Sequence, residues 1–538
     1  MAGLSAGRIF EGRTASPGFA RGPLVRIDKT PHGSRPSGTR HEEESALRAA
    51  IGATADQIAA LAGAAGGDAA AILEFQLVLL EDESLIEPIF AAIAAGTAAD
   101  AAWSEGLAEQ IAEYQAAPDE YQRARVSDLV DLRDRVYAAL IGGTGSCDRI
   151  PVGAVICAED LPPSRFLEID WSEGGGVALL QGSPTSHVAM LARSRGVPMV
   201  VQLGTLPRSA RTALLDGGEA RLELDPTDAR IAAFEARRAA HARDSATAAS
   251  LLTGLPAMCG GEAVGLHINI QRIADLNHPD ARYADGVGLM RTEFLFTDPA
   301  GMPDETTQLG VYEVVLRWAS GRPVTIRTVD AGGDKPIPGF TEDGEANPFL
   351  GVRGLRLCLK RPEVFGVQLR ALARAAVHGK LKVMFPMVTL PAEFVAAREL
   401  FRGTVAELRS AGIAAALPEL GMMVEVPAAA LTIDAFPASF FSIGSNDLAQ
   451  YVMACDRSNG ALGVLIDPLN PALLELIQRT VEHGRRQGLG VSLCGDMAGE
   501  PHCAAALLRC GLREFSMNPA SLARVKQAIA AFDGGRSP

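Results

Sequence analysis

No two of the eight cysteines form a Cys-x-x-Cys pair, so neither a disulfide framework nor a thiolate zinc site is encoded, and a reducing compartment is expected. An apolar leader is missing too. The start, MAGLSAGRIFEGRTASPG, has no hydrophobic centre, and the longest uncharged apolar stretch near it, PIFAAIAAGTAA at 88–99, is too short to cross a bilayer. A soluble, cytoplasmic chain without membrane insertion is expected. Basic charge is in short supply: 50 Lys and Arg face 64 Asp and Glu, a net charge of −14, which argues against nucleic acid as a partner. There is no Gly-x-x-x-x-Gly-Lys-[Ser/Thr] and no His-Glu-x-x-His, so no phosphate donor on a P-loop is expected. The run Gly3-Leu4-Ser5-Ala6-Gly7 has the spacing of an esterase elbow, but no strand precedes it. What remains is ordinary for a folded chain, with 48% hydrophobic and 21% charged residues. At 538 residues it should divide into three or four units.

The acidic excess is local. Residues 42–140 hold 19 Asp and Glu against five Arg, and the rest of the chain is neutral. The same segment carries Ala, Leu and Ile at helical spacing, as at Ile72, Leu73, Leu77, Leu79 and Leu80, and reads as several amphipathic helices. A solvated helical bundle accounts for this; so does a docking surface for a basic protein, because a face of one sign steers and orients an oppositely charged partner. Strand-like GPLVRI at 22–27 precedes the helices, and VGAVICAED, GGVALLQG and GVPMVVQL follow them. One α/β domain interrupted by a helical insertion is expected, then a helical linker rich in Ala, Arg and Glu.

After Gly260 the pattern changes to repeated strand-then-helix units. Eight apolar runs (VGLHINI, GVGLMRT, VTIRTVD, LKVMFPM, GMMVEVP, FFSIGSND, VSLCGDM and EFSMN) read as buried parallel strands, the number of a (β/α)8 barrel, whose active site lies at the C-terminal strand ends. Seven of those ends are polar, with Asn269, Arg291 and Glu293, Arg327 and Asp330, Glu425, Asn446 and Asp447, Cys494 and Asp496, and Asn518. Arg291, Arg327, Arg353 and Arg457 offer planar forks for carboxylate and phosphate oxygens, so a small, highly anionic substrate is implied. Glu425 and Asp447 end adjacent strands and suit Mg²⁺ shared with substrate phosphate; a structural ion-pair network is the plainer alternative. Cys494, followed by glycine, is read as an accessible thiol able to act as acid or nucleophile. Cys503 and Cys510 read as core.

A second constellation is Gly182-Ser183-Pro184-Thr185-Ser186-His187 before VAMLAR. Thr185 and Ser186 are placed to cap a helix with His187 in its first turn. There a phosphoryl group on a neutral ring nitrogen is stabilised by the helix start, although a histidine so placed also serves as a cap or a packed side chain.

Together TSHVAMLARSRGVPMVV, DGVGLMRTEFLF, IRTVDAGGDKP, NPFLGVRGLR, MVEVPAAA, FFSIGSNDLAQY and CGDMAG resemble the enzyme I family of the bacterial phosphoenolpyruvate:sugar phosphotransferase system, from Ala15 almost to the end of the chain. The resemblance implies a multidomain α/β protein: a phosphohistidine α/β domain at 1–27 and 144–228, a helical carrier-docking subdomain at 28–143, a helical linker at 229–260 and a phosphoenolpyruvate-binding (β/α)8 TIM barrel at 261–538. It implies that phosphoenolpyruvate phosphorylates His187, which passes the group to a histidine of the phosphocarrier HPr or a related carrier as the first step of sugar uptake, releasing pyruvate. By match to the family motifs, Arg291, Arg327, Asn446, Asp447 and Arg457 bind substrate, Glu425 and Asp447 hold Mg²⁺, Cys494 protonates the enolate, and dimers form through the barrel. The chain departs from the family pattern in three places: Gly-Ser-Pro precedes Thr-Ser-His where Gly-Gly-Arg is usual, Asp496 stands where Glu is common, and Gln76 where histidine is expected. A dikinase or synthase would need a further nucleotide-binding domain, and a non-catalytic phosphoenolpyruvate sensor would need neither His187 nor Cys494. Which carrier and sugar, and whether a transport or a regulatory branch is served, stay open; no sensory domain is expected ahead of Ala15.

Overall fold

The computed structural model describes residues 8–27, 37–65, 67–116, 126–142, 150–184, 186–254, 256–296, 302–333, 335, 337, 339–342, 344–456, 462 and 465–532. Two compact units divide at Ala240 and His241.

In the first unit, strands β1 (Arg8–Glu11), β2 (Arg13–Ser16), β3 (Phe19–Ile27), β4 (Val155–Ala158), β5 (Gly176–Leu179), β6 (Met199–Val201), β7 (Thr212–Asp216) and β8 (Arg221–Leu224) are arranged in the order β1-β8-β7-β3-β4-β5-β6-β2. The centre, β3 to β6, is parallel, and its strands VICA and GVAL are buried along their whole length, as expected where both faces are covered. The chain leaves this sheet after β3 and returns at β4. Between them, among the described residues, lie five helices, α1 (Arg40–Ala65), α2 (Gly67–Glu81), α3 (Glu83–Ala94), α4 (Ala99–Ala116) and α5 (Val126–Leu140). Their core contains Leu47, Trp103, Leu107, Leu132 and Val136. The Trp103 indole N–H donates to the Arg133 carbonyl at 3.1 Å, so the largest buried side chain carries no unmet donor. Asp82 starts α3 by accepting from the Ser84 backbone N–H at 2.9 Å. Two shorter helices, α6 (Pro163–Glu168) and α7 (His187–Arg195), complete the α/β part, and the long α8 (Asp228–Leu252) follows it.

In the second unit, β10 (Glu262–Ile270), β11 (Val287–Met290), β12 (Val324–Arg327), β13 (Leu381–Phe385), β14 (Glu419–Val424), β15 (Phe440–Ile443), β16 (Gly490–Leu493) and β17 (Glu514–Met517) run parallel, and the β10–β11 pairing closes them into an eight-stranded barrel. Leu289, Met384, Met423, Phe440 and Cys494 meet inside it. One expectation is corrected. The linker is helical only to Leu252; within its last residues β9 (Ala257–Cys259) pairs antiparallel with β10. Gly260 and Gly261, at φ +58° and +85°, make the two-residue turn that positive φ allows, and the hairpin buries Ala257 and Cys259. Among the described residues no helix is long and apolar enough to cross a membrane.

Candidate active site

His187 opens α7. Ser186 caps it, its Oγ accepting from the Ala189 N–H at 3.4 Å; Thr185 lies outside the described residues. The imidazole is 13% exposed, and its Nδ1 faces the fully buried Asp128 carboxylate of α5 at 3.7 Å without a hydrogen bond. The insertion therefore supplies a side chain to the histidine's surroundings. On the same face of α5, Asp131 and Arg135 follow at helical spacing and meet α6. Arg135 donates to Asp131 at 3.2 Å, to Ser164 at 2.7 Å and to Glu168 at 2.7 Å. Ser164 also donates to Asp131, and the buried Gln76 amide of α2 joins it at 3.1 Å. Burial pushes the Asp131 carboxyl up, while Arg135, Ser164 and Gln76 stabilise its charge. Gln76, where a histidine was expected, thus closes a polar seam between insertion and α/β domain. Sequence reasoning singled out none of Asp128, Asp131, Arg135 and Ser164; the 128, 131, 135 spacing, which sets three charges on the face of α5 that also carries buried Leu132, was the available signal.

In the barrel, several of the strand-end groups lie in contact with one another. Arg327, only 3% exposed, donates to Glu293 at 2.9 Å and lies 3.1 Å from Asp330. Arg291 follows β11 with its Nε buried and without a hydrogen-bond partner. Burial alone would push Asp330 up, but Lys335, Arg327 and Arg353 together hold its carboxyl well below the usual range. Burial, then Asp447 and Asp330, push Glu425 up to about 7, against Arg327 and Arg353. Its Oε1 accepts the Met387 N–H at 2.6 Å, at a residue held at φ +55°, the kind of strained backbone that recurs in functional sites. Asn446 and Asp496 bond reciprocally: the Asn446 amide donates to the Asp496 carboxylate at 2.9 Å, and the Asp496 N–H donates to the Asn446 carbonyl at 2.9 Å. The shorter acid at 496 therefore still fixes the orientation of that amide. Arg457 lies outside the described residues.

Two readings change. Arg353, 1% exposed, is a strut rather than an open fork: it reaches Asp330 at 3.1 Å and both oxygens of Asp447 at 3.1 and 3.2 Å. Its donors are spent on the protein's own acids. Cys494 is 2% exposed, not accessible. The glycine after it serves packing, since a Cβ at 495 would sit 1.9 Å from Ser445 Oγ. Burial pushes the Cys494 thiol up to about 11, opposed first by a hydrogen bond from Ser442 and then by Arg327. The thiol therefore stays protonated at neutral pH, while the charges of Arg327 and Arg291 favour its thiolate, a combination suited to giving a proton to an anion.

Could this rim hold a divalent cation? Glu425 and Asp447 are buried acids, and the charge of Asp447 helps push Glu425 up, a crowding that a cation relieves. Their hard oxygens suit Mg²⁺. Among the described residues no three His, Cys, Asp or Glu side chains converge to hold an ion by themselves, so further oxygens would come from substrate or water.

Three known families match successive parts of the chain. The description "PEP-utilising enzyme, N-terminal" matches residues 11–125, "PEP-utilising enzyme, mobile domain" matches 150–220, and "PEP-utilising enzyme, PEP-binding domain" matches 246–533. A phosphoenolpyruvate-protein phosphotransferase of Geobacillus stearothermophilus is 37% identical over 530 residues, covering 96% of this chain and 92% of that protein. One from Haloferax volcanii is 37% identical over 478 residues, covering 87% and 83%. A solution structure titled Enzyme I (nEIt) covers 43% of this chain and 99% of its own at 26% identity, with a TM-score of 0.37. Identity of this degree over nearly the whole length, together with three matched domains in order, means that the chain belongs to the phosphoenolpyruvate-protein phosphotransferase family.

Proposed function

We propose that the protein transfers the phosphoryl group of phosphoenolpyruvate to His187 and from there to a histidine of HPr or a related small carrier, as the entry step of sugar uptake. The observation that carries this reading is the pairing of an anion-binding barrel mouth, with Arg291, Arg327 and a protonated Cys494, with a histidine at a helix start in a separate α/β domain. In the first half-reaction the P–O bond of phosphoenolpyruvate breaks as a P–N bond to the imidazole forms. Asp128 opposite Nδ1 favours the tautomer with its proton there, leaving Nε2 as the nucleophile. Arg291, Arg327 and Arg457 neutralise the substrate's oxygens, and the Asn446 amide, set by Asp496, orients it. The enolate left behind takes a proton at carbon from the Cys494 thiol, giving pyruvate. Glu425 and Asp447 would hold Mg²⁺, which supplies neutralisation of charge on the transferring phosphoryl group.

The second half-reaction needs a place for the carrier. At the junction of α2 and α3, beside α1, lies a groove of about 750 Å³ lined by Leu80, Ile86 and Phe90, by Glu81, Glu83 and Glu87, and by a single basic residue, Arg48, whose guanidinium lies over the Phe90 ring. Val78, 63% exposed, adds an apolar side chain on α2. Apolar ground with an acidic border fits a basic carrier. The family resemblance further supports a homodimer through the barrel and a cytoplasmic location. Labelled phosphoenolpyruvate with Mg²⁺ tests the first half-reaction: acid-labile label should appear on the protein and be lost in His187→Ala. Label that persists in a folded His187→Ala protein would overturn the reading.

A further inference from the structure

Inside the barrel, two serines on neighbouring strands lead to the sulfur. Ser442 of β15 and Ser492 of β16 stand directly opposite each other. Ser492 Oγ donates to Ser442 Oγ at 3.1 Å, and Ser442 Oγ donates to Cys494 Sγ at 3.2 Å. The thiol in turn points at the Ile443 carbonyl, 3.6 Å away, and the Asn269 amide holds the Cys494 carbonyl at 2.9 Å. Ser442 is fully buried among apolar barrel residues. A hydroxyl there carries a desolvation cost that a Val or Ala would avoid, so its hydrogen bonds need a purpose.

The geometry points to Ser442 as a positioning residue for Cys494, backed by Ser492: it fixes the rotamer of the thiol and holds the sulfur when it becomes negative. This rests on the reading of Cys494 as proton donor. In that step the S–H bond breaks, its electron pair stays on sulfur, and the C–H bond of the pyruvate methyl group forms. The thiolate so created sits in a dry barrel, where a hydroxyl already aimed at it stabilises charge without reorganisation. Ser492 donating to Ser442 polarises that hydroxyl and strengthens its bond to sulfur. Arg327 and Arg291 also favour the thiolate and Glu425 disfavours it, but these act through space, whereas Ser442 touches the sulfur.

The test uses the full-length protein with phosphoenolpyruvate and Mg²⁺ and follows pyruvate formation in a single turnover. Ser442→Ala should slow it by about ten- to a hundredfold, the worth of a hydrogen bond to a charged group, and Ser442→Thr, which keeps the hydroxyl, should restore much of the rate. In a Cys494→Ala background Ser442→Ala should cost nothing further, because the serine acts only through the sulfur. The S–H stretching band of Cys494, isolated in the infrared by difference against Cys494→Ala, should shift in Ser442→Ala. An unchanged rate, an unmoved S–H band, or a loss that adds fully to that of Cys494→Ala would overturn the assignment. Normal pyruvate formation by Cys494→Ala alone would instead overturn the donor reading beneath it.

Discussion

Reversing charge beside the α2–α3 groove separates the two half-reactions. Glu81, Glu83 and Glu87 are all exposed at this groove. Asp82, although adjacent and acidic, must be left alone: it caps α3, and losing a cap costs about 1 kcal/mol. Changing the three glutamates to lysine takes the segment 42–140 from −14 to −8 and removes most of the negative charge beside the groove. Electrostatic steering raises association rates by roughly 10- to 1,000-fold, so transfer from phosphorylated protein to carrier should slow by about tenfold at low ionic strength. With a Debye length of about 8 Å at physiological salt and about 3 Å at 1 M, the difference from the unaltered protein should shrink as salt is added. The assay is rapid-quench transfer of label from His187 to purified carrier at two salt concentrations, beside autophosphorylation by phosphoenolpyruvate. Autophosphorylation should be unchanged, since barrel chemistry does not use this surface. Equal slowing of both steps would mean damage to the fold. No slowing of either would mean that the acidic helices are only a solvated face, and the docking argument would fail.

Three further outcomes are expected. Cys494→Ala should bind phosphoenolpyruvate, measured by calorimetry, while losing pyruvate formation; near-normal turnover would refute the thiol's role. Glu425→Gln keeps the size of the side chain and removes half the acidic pair, so the Mg²⁺ concentration for half-maximal autophosphorylation should rise at least tenfold, and an unchanged requirement would move the metal elsewhere. Asp131→Ala leaves the Arg135 guanidinium, 8% exposed, with Glu168 as its one remaining acid; losing a hydrogen bond between charged groups costs roughly 1.5–3 kcal/mol, so scanning calorimetry should show a lower transition for the first unit, and a shift of under about one degree would refute the seam's contribution.

Strand-then-helix alternation made the barrel legible, because eight buried runs follow one another and seven of them end in a polar group. The three-residue β9 was not, since a strand so short has no period to recognise and owes its pairing to the Gly260-Gly261 turn. The ring of site residues was legible for the same reason as the barrel. Whether an arginine is open to substrate or engaged with the protein's own acids is a matter of direction, and local pattern does not encode direction: both Arg353 and Arg327 read as open forks until the contacts of Arg353 with Asp330 and Asp447, and of Arg327 with Glu293 and Asp330, are seen. Cys494-Gly495 misled in the same way, with a glycine required by the approach of Ser445 taken as a sign of exposure. The seam beside His187 depends on Gln76, Asp131 and Ser164, spread over 88 residues of chain, and no short motif spans that distance.

That seam also bears on how the insertion and the α/β domain can part. Their apolar cores share, among the described residues, only Leu167; charges and hydroxyls close the rest around Asp131 and Arg135. Pulling oil-like surfaces apart in water costs free energy in proportion to area, about 25 cal/mol for each Å². Carboxylate, guanidinium and hydroxyl groups pulled apart are instead wetted, and hydration returns much of what separation removes. A junction closed by such groups exposes no sticky face when it parts, which under the proposed function suits a histidine reached in turn from a barrel mouth and from a separate protein.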